Sequence, residues 1–299
     1  MSGVSVVIPT YNGVVHLQKN IPAVLSILRD QDEVVIVDDA SGDETKSWLE
    51  QTYGLKQVEQ IPQVPTPRGY YPDSTDGISQ IAYGSVITAT AKKMRIVLVA
   101  LRDNIRFAGA ANIGVLLSSH RFVLLLNNDV RPMGELIAPL LAHFDDEVVF
   151  AVGCREVEAD NHQVVSGKNK LWFEKGLFFH QKADDMSGGE TAWASGGSAL
   201  FDREKWLELG GFDKAYHPAY WEDVDLSFRA RKRGWKVLFE PTATVAHDHE
   251  TTNRSVFGRK QIQAMSWNNA QTFVWKNGTL KEKFLHLLWK PYWKMKYDE

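Results

Sequence analysis

Cysteine is almost absent from this chain: Cys154 stands alone among 299 residues. An internal disulfide framework is therefore excluded, and a reducing compartment fits. An excess of positive charge is also missing. The net charge of −3 gives no support to a nucleic-acid partner, which would need a basic stripe. No apolar run reaches the ~18 residues that a bilayer-spanning helix requires. Met1 leads straight into the strand-like run Val4–Ile8, so the expectation is a protein without a secretory leader, in the cytoplasm, with a peripheral place at the inner face of the membrane left open. A phosphate-cradling glycine loop is lacking too. Neither G-x-G-x-x-G nor G-x-x-x-x-G-K-S/T follows the first strand-like run, so dinucleotide binding of the Rossmann kind and P-loop hydrolysis are disfavoured.

What is present is an alternation of apolar runs and amphipathic stretches. With 44% hydrophobic and 24% charged residues, the chain has material for one large domain or two small ones. Short β-branched runs at Val4–Ile8, Val34–Val37, Ile96–Leu101, Phe122–Leu126, Val148–Val152 and Trp235–Phe239 are nearly continuously apolar, as strands buried on both faces of a mainly parallel sheet should be. Helical patterns fall at roughly 14–29, 43–53, 109–119, 133–143 and 202–209. This order predicts an α/β, doubly wound sheet, whose ligands bind at the carboxyl ends of the strands.

Polar clusters sit where such runs stop: Pro9-Thr10-Tyr11-Asn12-Gly13, Asp38-Asp39-Ala40-Ser41-Gly42-Asp43, Asn127-Asn128-Asp129 and, after a further late run near Val245, His247-Asp248-His249. Any one of them alone is an ordinary turn, with Ser41 or Asp43 as a helix cap. Four at one end of a sheet point to a site. Downstream, Trp221-Glu222-Asp223-Val224-Asp225 packs three carboxylates into the first turn of a helix that becomes basic at Arg229, Arg231, Lys232 and Arg233. The helix dipole favours that arrangement in any case. Beside the other clusters, it suggests metal-assisted transfer with a carboxylate base.

These residues carry a resemblance. Val4–Asn12, Val35–Ser41, Asn104 with Phe107–Gly114, Leu126–Asp129, Ser195–Ala199, Gly210–Asp213 and the Trp-Glu-Asp segment together resemble family 2 glycosyltransferases, inverting nucleotide-sugar enzymes of the GT-A fold. The similarity covers most of residues 4–250 and is greatest to the rhamnosyl- and galactofuranosyl-transferase-like branch of bacterial surface polysaccharide synthesis. It implies a sugar donor carried on a nucleoside diphosphate (UDP or dTDP before GDP) and a glycan or lipid-linked glycan acceptor. It implies a divalent metal, Mn2+ or Mg2+, held by Asp129 and His247, with the uncharged Asn127 a departure from a fully acidic motif; His249 reads as a bystander. Asp223 is expected to be the base, and Glu222 to contact the acceptor or orient the base. Thr10, Tyr11, Asn12, Asp38, Asp39, Asn112 and Asn128 are expected around the nucleotide, with Tyr11 against the base and either Asp38 or Asp39 accepting its imide N–H. Gly196, Gly197, Trp193 and Trp221 are candidates for the sugar side, Trp193 equally a core residue. Asp225 reads as the ion-pair partner of Arg229. Arg106 stands where the family usually has glycine; a cation beside the diphosphate and a solvent-facing side chain are equally open.

Two segments fall outside the pattern. Residues 55–95 are longer than the usual connection. Gln60–Gly77 is proline-rich, Ile78–Lys93 suits a helix, and a lid or an oligomer contact both remain open. The tail 275–299, following a transferase domain at 1–274, interleaves lysines with Trp, Tyr and Leu, as an interfacial helix on an anionic membrane does. Pro291 is expected to cut it into two short pieces. Docking on its own domain or on a second subunit is the other reading of that tail, so a homo-oligomer stays open. The alternatives to a transferase are a nucleotide-sugar pyrophosphorylase and a catalytically silent carbohydrate-binding or scaffold protein.

Overall fold

The apolar runs become strands, and the helices between them cover both faces of the sheet they form. In the computed structural model, residues 3–60, 64–87, 93–247 and 251–297 are described. The strands are β1 (Val4–Thr10), β2 (Glu33–Asp38), β3 (Lys56–Gln57), β4 (Ile78–Ile87), β5 (Lys93–Leu101), β6 (Phe122–Leu126), β7 (Val130–Pro132), β8 (Val149–Glu158), β9 (Val164–Ser166), β10 (Asn169–Glu174), β11 (Leu177–Lys182), β12 (Gly189–Glu190), β13 (Ser198–Asp202) and β14 (Lys236–His247). The helices are α1 (Val14–Ile27), α2 (Thr45–Tyr53), α3 (Arg106–Leu117), α4 (Ile137–Leu141), α5 (Arg203–Leu209), α6 (Glu222–Lys232), α7 (Thr251–Asn277) and α8 (Leu280–Tyr297).

One sheet runs in the order β12-β14-β8-β13-β6-β1-β2-β5-β4-β3, with β7 beside β14 and β9 beside β8. Its centre, β6-β1-β2-β5, is parallel, so those carboxyl ends share one edge. Strand alternation sorts the core. Val6 and Ile8 of β1 pack with Leu17 and Ile21 of α1, whereas Val7 packs with Ile113 and Val115 of α3 on the other face. The small residues of α3 allow that approach, since a Cβ on Gly114 would overlap Val7. A third, aromatic cluster joins Phe178 of β11, Trp221, Phe273 of α7 and Trp293 of α8.

Three expectations are corrected. The expected helix is not formed at Ile78–Ile87, which is β4, antiparallel to β5, while residues 88–92 lie outside the described ones. The β-branched residues of β4 complete the flank of a sheet, and tertiary pairing decides over a short ambiguous pattern. The runs at Trp235–Phe239 and near Val245 are one strand, β14, interrupted by a register shift between Glu240 and Thr244. Finally, α8 is a single helix straight through Pro291. Trp289 and Trp293 on either side pack into the aromatic cluster, which offsets the lost backbone bond.

Candidate active site

The polar strand ends meet at one cavity of about 390 Å³, within the range of small-molecule sites. Its wall includes Thr10 at the end of β1 and Tyr11 after it, Asp39 after β2, Asn127, Asn128 and Asp129 after β6, Gly196 and Gly197 before β13, Glu222 and Asp223 at the start of α6, and His247 at the end of β14.

Strand register explains the meeting. β7 pairs Val130 with His247 and so sets Asp129 beside the histidine, their Oδ1 and Nε2 atoms 3.2 Å apart. The other ring nitrogen, Nδ1, faces Glu156 of β8 at 3.6 Å, and Ser198 donates to that glutamate. Burial would lower the His247 pKa, but the two carboxylates outweigh it and raise it to about 10. Burial would likewise raise Glu156, yet His247 and Ser198 hold it down at about 2. His247 is thus an imidazolium clasped between two carboxylates. Glu156 went unrecognised in the sequence because it belongs to no motif; only the fold sets β8 beside β14.

The donor set suits a hard divalent cation. Carboxylate oxygen and imidazole nitrogen about 3 Å apart have the separation of neighbouring ligands in an octahedral site with bonds of about 2.1 Å. Among the described residues no group of three His, Cys, Asp or Glu side chains is arranged to hold an ion. An ion here would take its remaining ligands from solvent or a bound phosphate, and would displace the proton that His247 carries.

Asp223 borders the cavity. Its Oδ2 accepts from Gly196 N–H at 3.2 Å and its Oδ1 from Val224 N–H at 2.8 Å. Burial raises its pKa, and the two N–H groups restrain the rise by favouring the anion. Glu222 is 7% exposed, and its Oε2 takes no hydrogen bond. Burial and the neighbouring Asp223 charge push its pKa well above the ordinary carboxyl range. The pair therefore divides, with Glu222 keeping the proton and Asp223 the charge.

That division has a measurable consequence for stability. Native Glu222 holds a proton that the unfolded chain releases at ordinary pKa, so wild-type stability falls as pH rises across that interval. Glu222→Gln keeps the neutral shape and removes the titration. Its stability relative to wild type should increase from mildly acidic to mildly alkaline buffer, on the order of 1.4 kcal/mol per pKa unit. Parallel unfolding curves at both pH values would rule the protonated Glu222 out.

Backbone strain clusters at the same place. Asn12, Ala40, Arg106, Tyr220 and Trp221 all have φ between 48° and 77°, five of the seven non-glycine residues in that region among those described. Such conformations cost of order 1–3 kcal/mol each and concentrate at functional sites. The left-handed pair Tyr220-Trp221 reverses the chain immediately before α6. Tyr220 reaches the cavity wall, while Trp221 turns into the aromatic cluster, 4% exposed, against His180 and Phe273. Arg106, with φ 66°, fills a position that glycine suits, and it lines the cavity next to Asp39.

The candidate residues thus separate. Asp39 borders the cavity, accepts from Ile105 N–H at 2.8 Å, and is raised to about 6 by burial, whereas Asp38 is turned into the Ser41 turn. Asn128 reaches the cavity while its amide donates to Thr10 Oγ1 at 2.8 Å. Asn12 is exposed and ties the first loop to Gly42 N–H at 2.8 Å. Asn112 is fully buried, and its amide bonds Tyr71 O, Phe212 O and Phe212 N–H, so it clamps α3 to the inserted segment rather than facing a ligand. Trp193 and Trp221 lie behind the wall, not on it. A Cβ on Gly197 would sit 2.5 Å from the Asn127 amide nitrogen, so a larger residue there would push that side chain aside. His249 lies outside the described residues.

Comparison with known proteins adds a lineage. The sequence model of the family described as "Glycosyltransferase like family 2" matches residues 2–266. The pre-mycofactocin glycosyltransferase of Mycobacterium tuberculosis is 32% identical over 158 residues, 51% of this chain and 32% of that protein. An N-acetylglucosaminyl-diphospho-decaprenol L-rhamnosyltransferase of the same organism is 32% identical over 98 residues, 32% of this chain and 30% of that one. The chain spans about a third of the length of these curated relatives. Among solved structures, GalNAc-T7 with UDP, GalNAc and Mn2+ aligns over 83% of this chain and 44% of its own, at TM-score 0.60 and 16% identity. A mannosyltransferase of Pyrobaculum calidifontis with GDP-Man and Mn2+ aligns over 95% and 70%, at TM-score 0.55 and 20% identity. The fold is that of GT-A glycosyltransferases.

Proposed function

Since this chain belongs to the glycosyltransferase-like family 2, we propose that it moves one sugar, with inversion, from a nucleoside-diphosphate sugar to a glycan hydroxyl. The observation that carries this reading is the meeting of Asp223 with the Asp129–His247 pair across one cavity. Asp223 takes the acceptor proton as the hydroxyl oxygen bonds to the anomeric carbon. The bond from that carbon to the β-phosphate oxygen breaks, and its electron pair leaves with the nucleoside diphosphate. A buried carboxylate with a raised pKa suits that proton transfer near neutral pH.

Asp129 and His247 would hold a divalent cation, Mn2+ or Mg2+, whose charge stabilises the departing diphosphate. Arg106, on the same wall, adds positive charge near the diphosphate. Asp39 is the carboxylate placed to accept a base imide N–H, and Tyr11 offers a ring face to a pyrimidine, which favours UDP or dTDP over GDP. Gly196 and Gly197 let the sugar lie against backbone. In this reading the acceptor is a glycan or lipid-linked glycan of surface polysaccharide synthesis, and the chain acts at the cytoplasmic face of the membrane.

Calorimetric titration with UDP, dTDP and GDP, each with and without Mn2+, tests the donor site. One nucleotide should bind at least about tenfold tighter with the metal, equivalent to about 1.4 kcal/mol. Asp129→Ala should erase the metal dependence and leave the metal-free affinity in place. Absence of binding to all three in a folded sample would favour a silent fold.

A further inference from the structure

The outer face of α8 is apolar and exposed, with nothing packed on it among the described residues. Leu280 is 87% exposed, Phe284 60%, Leu287 51%, Leu288 60% and Met295 71%. At 100° per residue these side chains fall within one arc about 100° wide. The opposite arc is anchored: His286 Nδ1 pairs with Gly176 O at 2.9 Å, and Trp293 Nε1 donates to Lys175 O at 2.6 Å. The helix is therefore fixed to the protein by one side and offers the other. Interior packing accounts for Trp289 and Trp293 but not for a second, outward apolar stripe.

Charge identifies the partner. Along the same helix run Lys281, Lys283, Lys290, Lys294 and Lys296 against one acid, Glu282, in a chain that is acidic as a whole. The carboxylate of Glu282 accepts from Thr279 N–H at 2.7 Å and from Thr279 Oγ1 at 2.8 Å, and so caps the helix start. By the helical period, Lys283, Lys290 and Lys294 border the apolar arc on one side and Lys281 on the other. Apolar side chains flanked by ammonium groups match an interface where acyl chains meet anionic headgroups. The stripe is too short and too polar to span: among the described residues no helix is long and apolar enough to cross a membrane.

We propose that this face of α8 docks the protein flat on an anionic phospholipid bilayer. Leu280, Phe284, Leu287, Leu288 and Met295 enter the acyl boundary, and the bordering lysines lie among the headgroups. The anchored arc ties this surface to the acceptor side of the cavity. Trp293 of α8 packs on Phe179 of β11, next to His180, which abuts Trp221, the residue before Glu222 and Asp223. Docking would thus fix the orientation of the catalytic wall relative to the bilayer, where a lipid-linked acceptor presents its hydroxyl. The proposal deepens the membrane-side reading above. Vesicle binding needs neither nucleotide nor metal, so its failure and the failure of sugar transfer are separately visible.

Co-sedimentation with vesicles of phosphatidylcholine, with and without phosphatidylglycerol, is the test. Wild-type chain should bind the phosphatidylglycerol vesicles at least about tenfold better than phosphatidylcholine alone, and added salt should weaken that binding. Phe284→Glu with Leu288→Glu, both at exposed positions, should abolish binding while the unfolding temperature and nucleotide affinity stay unchanged. Lys290→Gln with Lys294→Gln should remove most of the preference for anionic lipid. Failure of folded wild-type chain to bind, or equal binding by the glutamate variant, would overturn the proposal. So would a wild-type dimer in light scattering that the same variant dissociates, because a second copy would then be the occupant.

Discussion

Asp223→Asn should lower kcat by about 10³-fold, in the range that removal of a general base produces, while nucleotide affinity changes by less than about twofold. Asparagine keeps the shape and one acceptor oxygen for Gly196 N–H but cannot take a proton. The loss should therefore appear in turnover rather than in donor binding. A pH profile provides the second readout. Burial raises the Asp223 pKa above the ordinary aspartate value, so the acidic limb of kcat/KM should lie above pH ~4 in wild type. It should vanish from the residual rate of the variant. A variant with full activity would take the base role from Asp223 and leave Glu222 as the nearest carboxylate on the wall.

This test turns on two adjacent carboxylates that sequence spacing could not tell apart. Glu222 and Asp223 were legible as a pair because the motif is short and opens a helix. Their division of labour was not, since it depends on which one the two backbone N–H groups reach. Strands with continuous apolar runs, β1, β2 and β6, were legible for a simple reason: both faces are buried, so their central positions are apolar on both sides of the sheet. β4 was not, because half its identity comes from pairing with β5. Asp38 and Asp39 were equivalent as sequence; strand alternation separates them, turning one to the Ser41 turn and the other to the cavity. Trp221 was misplaced for a related reason. A motif specifies that tryptophan precedes the acids, but two left-handed residues in succession decide that Tyr220 faces the cavity and Trp221 the core.

Asp225 shows the opposite case, an acid beside the site whose part is structural, and its removal should be the most destabilising change in α6. Two residues beyond Asp223 on a helix is a turn of 200°, so the side chain leaves the cavity and enters the interior. It is fully buried there. Arg229 Nε donates to it at 2.6 Å, the Tyr216 hydroxyl at 2.9 Å and Asn277 Nδ2 at 2.6 Å. One carboxylate thus joins α6, the end of α7 and the turn before the strained loop. Asp225→Ala would strand a guanidinium with only the Leu209 and Gly211 carbonyls to bond, leave the buried Tyr216 hydroxyl without an acceptor, and leave the Asn277 amide only its long contact to that hydroxyl at 3.4 Å. Breaking a buried pair from one side costs about 3–5 kcal/mol, because the remaining charge stays desolvated. Denaturant unfolding should show that loss, while nucleotide affinity below the transition should stay within about twofold of wild type, since Asp225 does not line the cavity. A loss under about 1 kcal/mol would mean that water or a rearranged Arg229 satisfies the network. A selective fall in kcat with stability intact would instead move Asp225 into the catalytic wall beside Asp223.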